Sequence, residues 1–288
     1  MPKIFCSRKK RLRGIINLSM TNLANFLQSV TLPVMPEVAQ ALIRTLNNED
    51  ADVPMVTAII AKDPGLTATL LRMANSAMFG LSRSVHTLDS AVSVIGMSHI
   101  RARALHICMA NGFVFPPGLE RLGFWRYSMV CAGYAKWLAS HSAIDEQEAW
   151  LAGMMLRLGE IVIAQRMPDA LVQLEVQPCA LGGRWKRERD IAGFDEGQIA
   201  AEIARRWDFP ETLANALEYA TLPLSPKAPK MSATVHLAAL ITEMAATTHP
   251  VLHNLPLTVL QGLGLDAEKL QPQVPNAESF SDISMLLA

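Results

Sequence analysis

The sequence has few cysteines, few aromatic residues and few charges for its length. Of its 288 residues, 4 are cysteines, 6% are aromatic and 18% are charged. The cysteines are scattered without a C-x-x-C pair, so their spacing predicts neither a disulfide framework nor a thiolate zinc site. This pattern fits a reducing compartment, and we expect a cytoplasmic protein.

Long apolar runs are also missing, although 50% of the residues are hydrophobic and the mean hydropathy is +0.21. The longest uncharged stretch, Met244 to Leu265, contains two histidines and two prolines. Because a spanning helix needs ~20 predominantly apolar residues, no membrane span is predicted. The basic N-terminus also lacks the apolar run and the cleavage site of a signal peptide.

Charge is balanced overall but unevenly distributed. The chain has 26 basic and 26 acidic residues, and six of the basic ones precede Glu37, the first acid. The remainder of the chain is mildly acidic and does not offer the positively charged surface that a phosphate backbone requires, so nucleic-acid binding is not expected of it. Residues 1–19 form a basic tail that could attach to nucleic acid or an anionic membrane. The alternative is a mis-chosen start codon, because the first clear helix begins at Met20.

Apolar residues recur at helical spacing almost everywhere, and alternation long enough for strands is hard to find. We therefore expect an all-α protein. The segment FVFPPG, residues 113–118, is the best boundary in the chain. It predicts two packed helical bundles, residues 20–115 and 116–250, followed by a C-terminal extension, residues 251–288.

Several helices can be placed from their ends. Asp63 caps a helix that begins at the following proline, Ser98 caps another, and Asp145 caps one that runs through Arg157. The segment Trp125–Ala139 is nearly uncharged on all sides, which predicts a central buried helix.

Two polar segments are predicted to face solvent. His99, Arg103 and His106 share one helical face, and the cation between the histidines argues against metal binding, so a solvated or partner-facing stripe is expected. The run WKRERD, residues 185–190, is expected to be a solvated loop or helix face.

Several stretches together resemble the HDOD domain of bacterial signalling proteins. They are LPVMPEVAQAL, DPGLTATLLRMANSAMFG with its spacing to SAVSVIG, FWRYSM, EAWLAGMMLRLGEIV and FDEGQIAAEIARRWDFPETLANAL. The resemblance covers about residues 31–265. It implies a fold similar to the HD superfamily of metal-dependent phosphohydrolases, whose bundle carries a His, an adjacent His-Asp pair and a further Asp as metal ligands.

The resemblance also implies that this chain has lost those ligands, so its C-terminal bundle is a degenerate HD bundle. Tyr127 stands at the position of the first ligand His, and Leu156-Arg157 stand at the position of the His-Asp pair. Glu196 lies at or near the position of a later His, and Ala220-Thr221 stand where HD-GYP proteins carry a His pair. A phenol with a pKa near ~10 is a poor ligand for a divalent ion. No catalytic residue, metal ligand or cofactor is therefore expected.

Arg157 is the most informative of these departures, because a guanidinium places a fixed positive charge where a dication would bind. One hypothesis is that Tyr127, Arg157 and Glu196 line a vestigial pocket that takes an anion such as a nucleotide phosphate. The other is that Arg157 forms a structural pair with Glu160, Glu196 or another acid.

Two functions follow as hypotheses. The first is a non-enzymatic module of bacterial signal transduction that binds a partner in trans, either a cyclic-di-GMP-related protein or a response regulator, through a surface at the junction of its bundles. The alternative is a residual metal-dependent phosphohydrolase or cyclic-dinucleotide phosphodiesterase. The missing His-Asp pair speaks against the enzyme, and the oligomeric state is not predicted.

Overall fold

A computed structural model describes residues 23–28, 30, 32–76, 84–175, 180–244 and 251–281, and these residues are helical without any strand. The predicted basic tail, residues 1–19, lies outside them. The helices of the N-terminal half are α1 (Leu23–Gln28), α2 (Glu37–Leu46), α3 (Val53–Ile60), α4 (Pro64–Ala74), α5 (Leu88–Ile95) and α6 (Met97–Gly112).

Helices of the C-terminal half follow a connection at residues 113–120. They are α7 (Arg121–Ser140), α8 (Glu146–Met155), α9 (Leu158–Arg166), α10 (Pro168–Glu175), α11 (Gly183–Ala192), α12 (Glu196–Arg206), α13 (Glu211–Glu218), α14 (Lys230–Met244), α15 (Leu257–Gly262) and α16 (Ala267–Leu270). Short 3-10 turns cover Leu252–Asn254, Gln271–Gln273 and Ala277–Phe280. Within the described part of the chain, no helix has the length and apolarity that crossing a bilayer requires.

The caps show how local sequence sets these ends. The carboxylate of Asp63 accepts from the backbone N–H of Leu66, and that of Asp145 accepts from two N–H groups of the first turn of α8. Both caps were predicted. The prediction for Ser98 was wrong, because α6 begins at Met97 directly after Gly96, whose φ of 97° ends α5.

Helix α7 is the central helix of the C-terminal half, as its uniform apolarity predicts. It packs mainly against α8 and α14. Trp125 and Tyr134 on α7 are almost fully buried. The last described turn covers part of the same helix, since the ring of Phe280 lies directly against Gly133 and the Tyr134 hydroxyl donates to the carbonyl of Pro275 over 3.1 Å.

The two halves share one continuous hydrophobic core, so the predicted bundles are packed together. Helix α6 of the N-terminal half packs against α8. At this contact the ring of His106 lies between Trp125 and Trp150, with centroid separations of 5.6 Å to each.

The predicted solvated stripe on α6 was wrong, because Arg103 and His106 are buried at this contact. The guanidinium of Arg103 stacks 4.0 Å above the Trp150 ring and its Nε donates to His99 over 3.4 Å. Both ring nitrogens of His106 are buried without a hydrogen-bond partner. Burial, and then the charge of Arg103, lower the pKa of His106 from 6.5 to about 3.

We expect His106→Leu to stabilise the protein, because it removes two unsatisfied polar atoms that each disfavour the folded state by about 1–3 kcal/mol. The lowered pKa also means that only the unfolded chain gains a proton here between pH 6.5 and 3. Wild-type stability should therefore fall as pH drops below 6.5, by about 2 kcal/mol from this group at pH 5.

Urea denaturation at pH 7.5 and pH 5 measures both effects. The exposed residue His253 provides the control, and His253→Leu should leave the curves unchanged. If His106→Leu lost stability at both pH values and kept the acid sensitivity of the wild type, the role assigned to the buried imidazole would be wrong.

Candidate functional site

The site begins at a turn that the sequence did not reveal. Helix α8 ends at Met155 and α9 starts at Leu158, so Leu156 and Arg157 form the turn between them. The expectation that one helix runs through Arg157 was wrong, since neither glycine nor proline marks the break. Leu156 is fully buried, whereas the side chain of Arg157 is 14% exposed.

Arg157 reaches forward one turn to Glu160. Its Nε donates to Oε2 of Glu160 over 2.6 Å, and its Nη2 lies 3.5 Å from Oε1. The Glu160 carboxylate is 3% exposed and also accepts from Nη2 of Arg184 over 2.5 Å. One buried carboxylate thus joins a guanidinium beside α9 to a guanidinium on α11.

The network continues through two further acids. Nε of Arg184 donates to Glu188 over 3.0 Å, and the other oxygen of Glu188 accepts from the backbone N–H of Glu196 over 2.8 Å. The Glu196 carboxylate accepts from the indole N–H of Trp185 over 2.8 Å, while its second oxygen is buried with no hydrogen-bond partner. We call these five residues, Arg157, Glu160, Arg184, Glu188 and Glu196, the ionic cluster.

Tyr127 and Arg157, both predicted to lie in one pocket, are in contact. The guanidinium of Arg157 lies 3.8 Å from the centroid of the Tyr127 ring. Both residues, together with Glu160, form the floor of an open cleft of about 690 Å³. The third predicted residue, Glu196, does not line this cleft, because its side chain turns away to Trp185.

The charges of the ionic cluster balance only if one acid holds a proton. Although burial opposes ionisation, Arg157 and Arg184 hold the pKa of Glu160 below its ordinary value. Burial, and then the neighbouring Glu196, raise the pKa of Glu188 from 4.5 to about 8, and burial also raises the pKa of Glu196. Both shifts favour a proton retained on the Glu188 and Glu196 pair at neutral pH, which would leave the cluster neutral.

Because of this retained proton, we expect the stability of the folded protein to depend on pH, and we expect Glu196→Gln to reduce that dependence. Because the unfolded chain releases the proton near pH 4.5 and the folded chain releases it only towards pH 8, wild-type stability should fall as pH rises between these values. The amide cannot ionise and removes the repulsion between the two carboxylates, so the variant should show a smaller decline than the wild type, with the part due to burial of Glu188 retained. Chemical denaturation at pH 5 and pH 8 tests this, with the exposed Glu211→Gln as control; an unchanged decline in Glu196→Gln would contradict the shared proton.

The residues at the position resembling the HD-GYP His pair have structural partners. The hydroxyl of Thr221 donates to Asp195 over 2.9 Å, and the carbonyl of Ala220 accepts from Nδ1 of His236 over 2.7 Å. Across the described ranges, no group of three or more His, Cys, Asp or Glu side chains has an arrangement that could hold a metal ion. Most of the polar side chains at the site are paired with one another, and one oxygen of Glu196 is left without a hydrogen-bond partner.

Sequence analysis missed Arg184 and Glu188, and its expectation for residues 185–190 was wrong in part. Lys186 and Asp190 do face solvent and pair with each other, but Trp185 and Glu188 are buried. A usable signal was present, since Arg184 and Glu188 have the four-residue spacing of a helical ion pair.

Comparison with solved structures places this architecture among HD-like helical folds. A candidate phosphohydrolase of Shewanella amazonensis SB2B superposes with a TM-score of 0.73 at 24% identity, covering 91% of this chain and 97% of that one. A candidate signal transduction protein of Marinobacter aquaeolei VT8 also gives 0.73 at 24% identity, covering 97% of this chain and 66% of that one. An HDOD domain protein of unknown function from Geobacter sulfurreducens gives 0.64 at 20% identity, covering 92% and 90%.

The sequence itself matches the HDOD domain over residues 32–223, about two thirds of its length. The chain therefore belongs to the HDOD domain family. An uncharacterized protein of Treponema pallidum (strain Nichols) is 25% identical over 202 residues, which is 68% of this chain but 39% of that protein. The chain thus spans well under half the length of this curated relative.

Proposed function

We propose that this chain is a non-enzymatic signal-transduction module of the cytoplasm that acts by binding another protein. The observation that carries the proposal is the side chain of Arg157, which occupies the position resembling the Asp of the metal-binding pair. It is paired with Glu160, which also pairs with Arg184. A permanent cation there opposes a divalent ion, and the carboxylates of Glu160 and Glu188 already accept from guanidinium and backbone donors.

The cytoplasmic assignment is supported by the state of the cysteines. Cys108 and Cys131 are both buried and unpaired. Burial raises the pKa of Cys108 to about 11 and that of Cys131 to about 12, so both thiols are poor nucleophiles at neutral pH. Two inert thiols in the core fit a reducing compartment.

The pairing of Arg157 supports the structural hypothesis for this residue over the anion hypothesis. Although burial works against the charged form, Glu160 holds the pKa of Arg157 well above its ordinary value. The guanidinium charge is thereby compensated within the protein, which leaves little net attraction for a phosphate. Anion binding by Tyr127, Arg157 and Glu196 stays a prediction. The position of Glu196 argues against it, because this residue does not line the cleft.

We expect no turnover of cyclic-di-GMP or of bis(p-nitrophenyl) phosphate above a matched blank when manganese or magnesium is added. The physical reason is that the cluster offers no open set of ligands to activate a water molecule. Product formation by chromatography measures this directly. Metal-dependent turnover that Glu196→Gln abolishes would instead support the residual phosphohydrolase.

A partner in trans, a response regulator or a cyclic-di-GMP-related protein, should bind at the junction of the bundles. A small notch there is lined by residues of α2, α6 and α8, including Arg101 and Glu148. We expect site-specific cross-linking in the native bacterium to trap one partner, and Glu148→Arg to abolish the cross-link. Asp190→Arg, an equally exposed change on α11, should keep it. A partner retained by both variants would move the surface elsewhere, and the absence of any partner would contradict the proposal.

A further inference from the structure

The open cleft above Tyr127 has the size and walls of a small-molecule site. It lies between the start of α7, the start of α10 and the connection at residues 113–120, and its volume of about 690 Å³ falls within the ~300–1,000 Å³ of such sites. Its walls are apolar and are formed mainly by Pro117, Leu119, Phe124, Pro168, Leu171 and Val172. Val172 in this wall is 64% exposed.

The floor of the cleft presents hydrogen-bond donors rather than acceptors. Both oxygens of Glu160 already accept from Arg157 and Arg184. Among the described residues, Nη1 of Arg157 has no acceptor, and the guanidinium is held rigidly between the Tyr127 ring and Glu160. A ligand that reaches the floor therefore meets a fixed N–H edge.

The charges that line the cleft decide what kind of acceptor fits. Glu120 and Glu160 are acidic and Arg157 is the basic residue of the lining, so the cleft carries no excess of positive charge. The Glu120 carboxylate is fixed at the rim by the backbone N–H groups of Leu122 and Gly123. A phosphate or carboxylate would meet these acids, whereas a carbonyl oxygen accepts from the guanidinium without adding charge.

We propose that this cleft binds a small uncharged molecule that has an apolar body and a carbonyl acceptor, with Arg157 as the residue that selects the carbonyl. The binding goes beyond the proposed protein contact and is independent of it, because the cleft and the junction notch are lined by different residues. A signalling module with such a site would respond to a neutral metabolite.

Fluorescence titration with three probes tests the proposal on the full chain. Nile red is uncharged and carries a ring carbonyl, N-phenyl-1-naphthylamine is uncharged without a carbonyl, and 8-anilinonaphthalene-1-sulfonate is anionic. We expect saturable binding of Nile red, about tenfold tighter than binding of either other probe, the factor that one added hydrogen bond to a charged donor supplies. Inorganic phosphate should not displace it.

Three variants test the location and the selectivity of the site, with thermal melts to confirm folding. Val172→Asp should weaken Nile red binding at least about tenfold, since it places a charge in the apolar wall. Leu257→Asp, at a residue that is 61% exposed on α15, should leave it unchanged. Arg157→Met should remove the preference for Nile red over N-phenyl-1-naphthylamine while both still bind.

Three results would overturn the proposal. They are the absence of saturable Nile red binding, Nile red binding that Val172→Asp leaves unchanged, and a preference for the sulfonate probe that Arg157→Met abolishes. The last result would assign the cleft to anions instead. None of them bears on the partner cross-link at Glu148, so failure here is distinguishable from failure of the proposed function.

Discussion

Replacing Glu160 with alanine is expected to lower the free energy of unfolding by about 3–5 kcal/mol. Glu160 pairs with both Arg157 and Arg184, and it is 3% exposed. Its removal takes from the Arg157 guanidinium the carboxylate that it pairs with, and takes from Arg184 the Glu160 carboxylate while Glu188 remains. A mostly buried cation without its partner is the costly state of a buried ion pair.

Urea denaturation of Glu160→Ala measures this loss, and Asp190→Ala provides the matched control. Asp190 pairs with Lys186 on α11, the helix that also carries Arg184, but both members of that pair are exposed. Because exposed pairs contribute about 0–1 kcal/mol, the control should change little. Equal, small losses in the two variants would show that the ionic cluster does not stabilise the fold.

Gly159→Ala should be the second large effect, with a loss of about 3 kcal/mol or more. A Cβ at residue 159 would come within 2.5 Å of Cα of Glu196, so the start of α9 touches the backbone at the start of α12. Backbone atoms cannot turn aside as a side chain can. The helices would have to separate, and the contacts of Glu196 with Trp185 and Glu188 would be strained with them.

Gly262→Ala is the control for this substitution. Gly262 ends α15, and a Cβ there would meet nothing within 4 Å. Alanine is favoured over glycine in helices by up to about 1 kcal/mol, so this variant should be neutral or slightly more stable. Thermal melts of both variants suffice, and a Gly159→Ala protein as stable as the wild type would refute the close approach.

Local patterns predicted the features that depend on a single helix. Asp63 and Asp145 cap their helices because the cap is made within three residues. The uniform apolarity of residues 125–139 predicted the central position of α7 because such a helix must be covered on every side. The all-α class and the HDOD family were predicted for the same reason, since both are written in contiguous sequence.

The features that the sequence did not predict depend on contacts between helices that are distant in the chain. Arg103 and His106 are polar, yet α6 places them against Trp125 and Trp150 of the other half. Arg184 meets Glu160 across 24 residues of sequence, a distance at which no periodicity carries information. The break between α8 and α9 has no glycine or proline at its turn, and it lies next to the close approach of Gly159 to the backbone of α12.

The metal content of the purified protein tests the central claim most directly, namely that the ionic cluster is neutral and closed to metal. The protein would be incubated with manganese, passed through gel filtration and measured by elemental analysis, with Glu196→Gln treated in parallel. We predict far less than one equivalent of metal in both proteins, because the guanidinium groups of Arg157 and Arg184 place fixed positive charge beside these carboxylates. About one equivalent in the wild type, lost in Glu196→Gln, would contradict it.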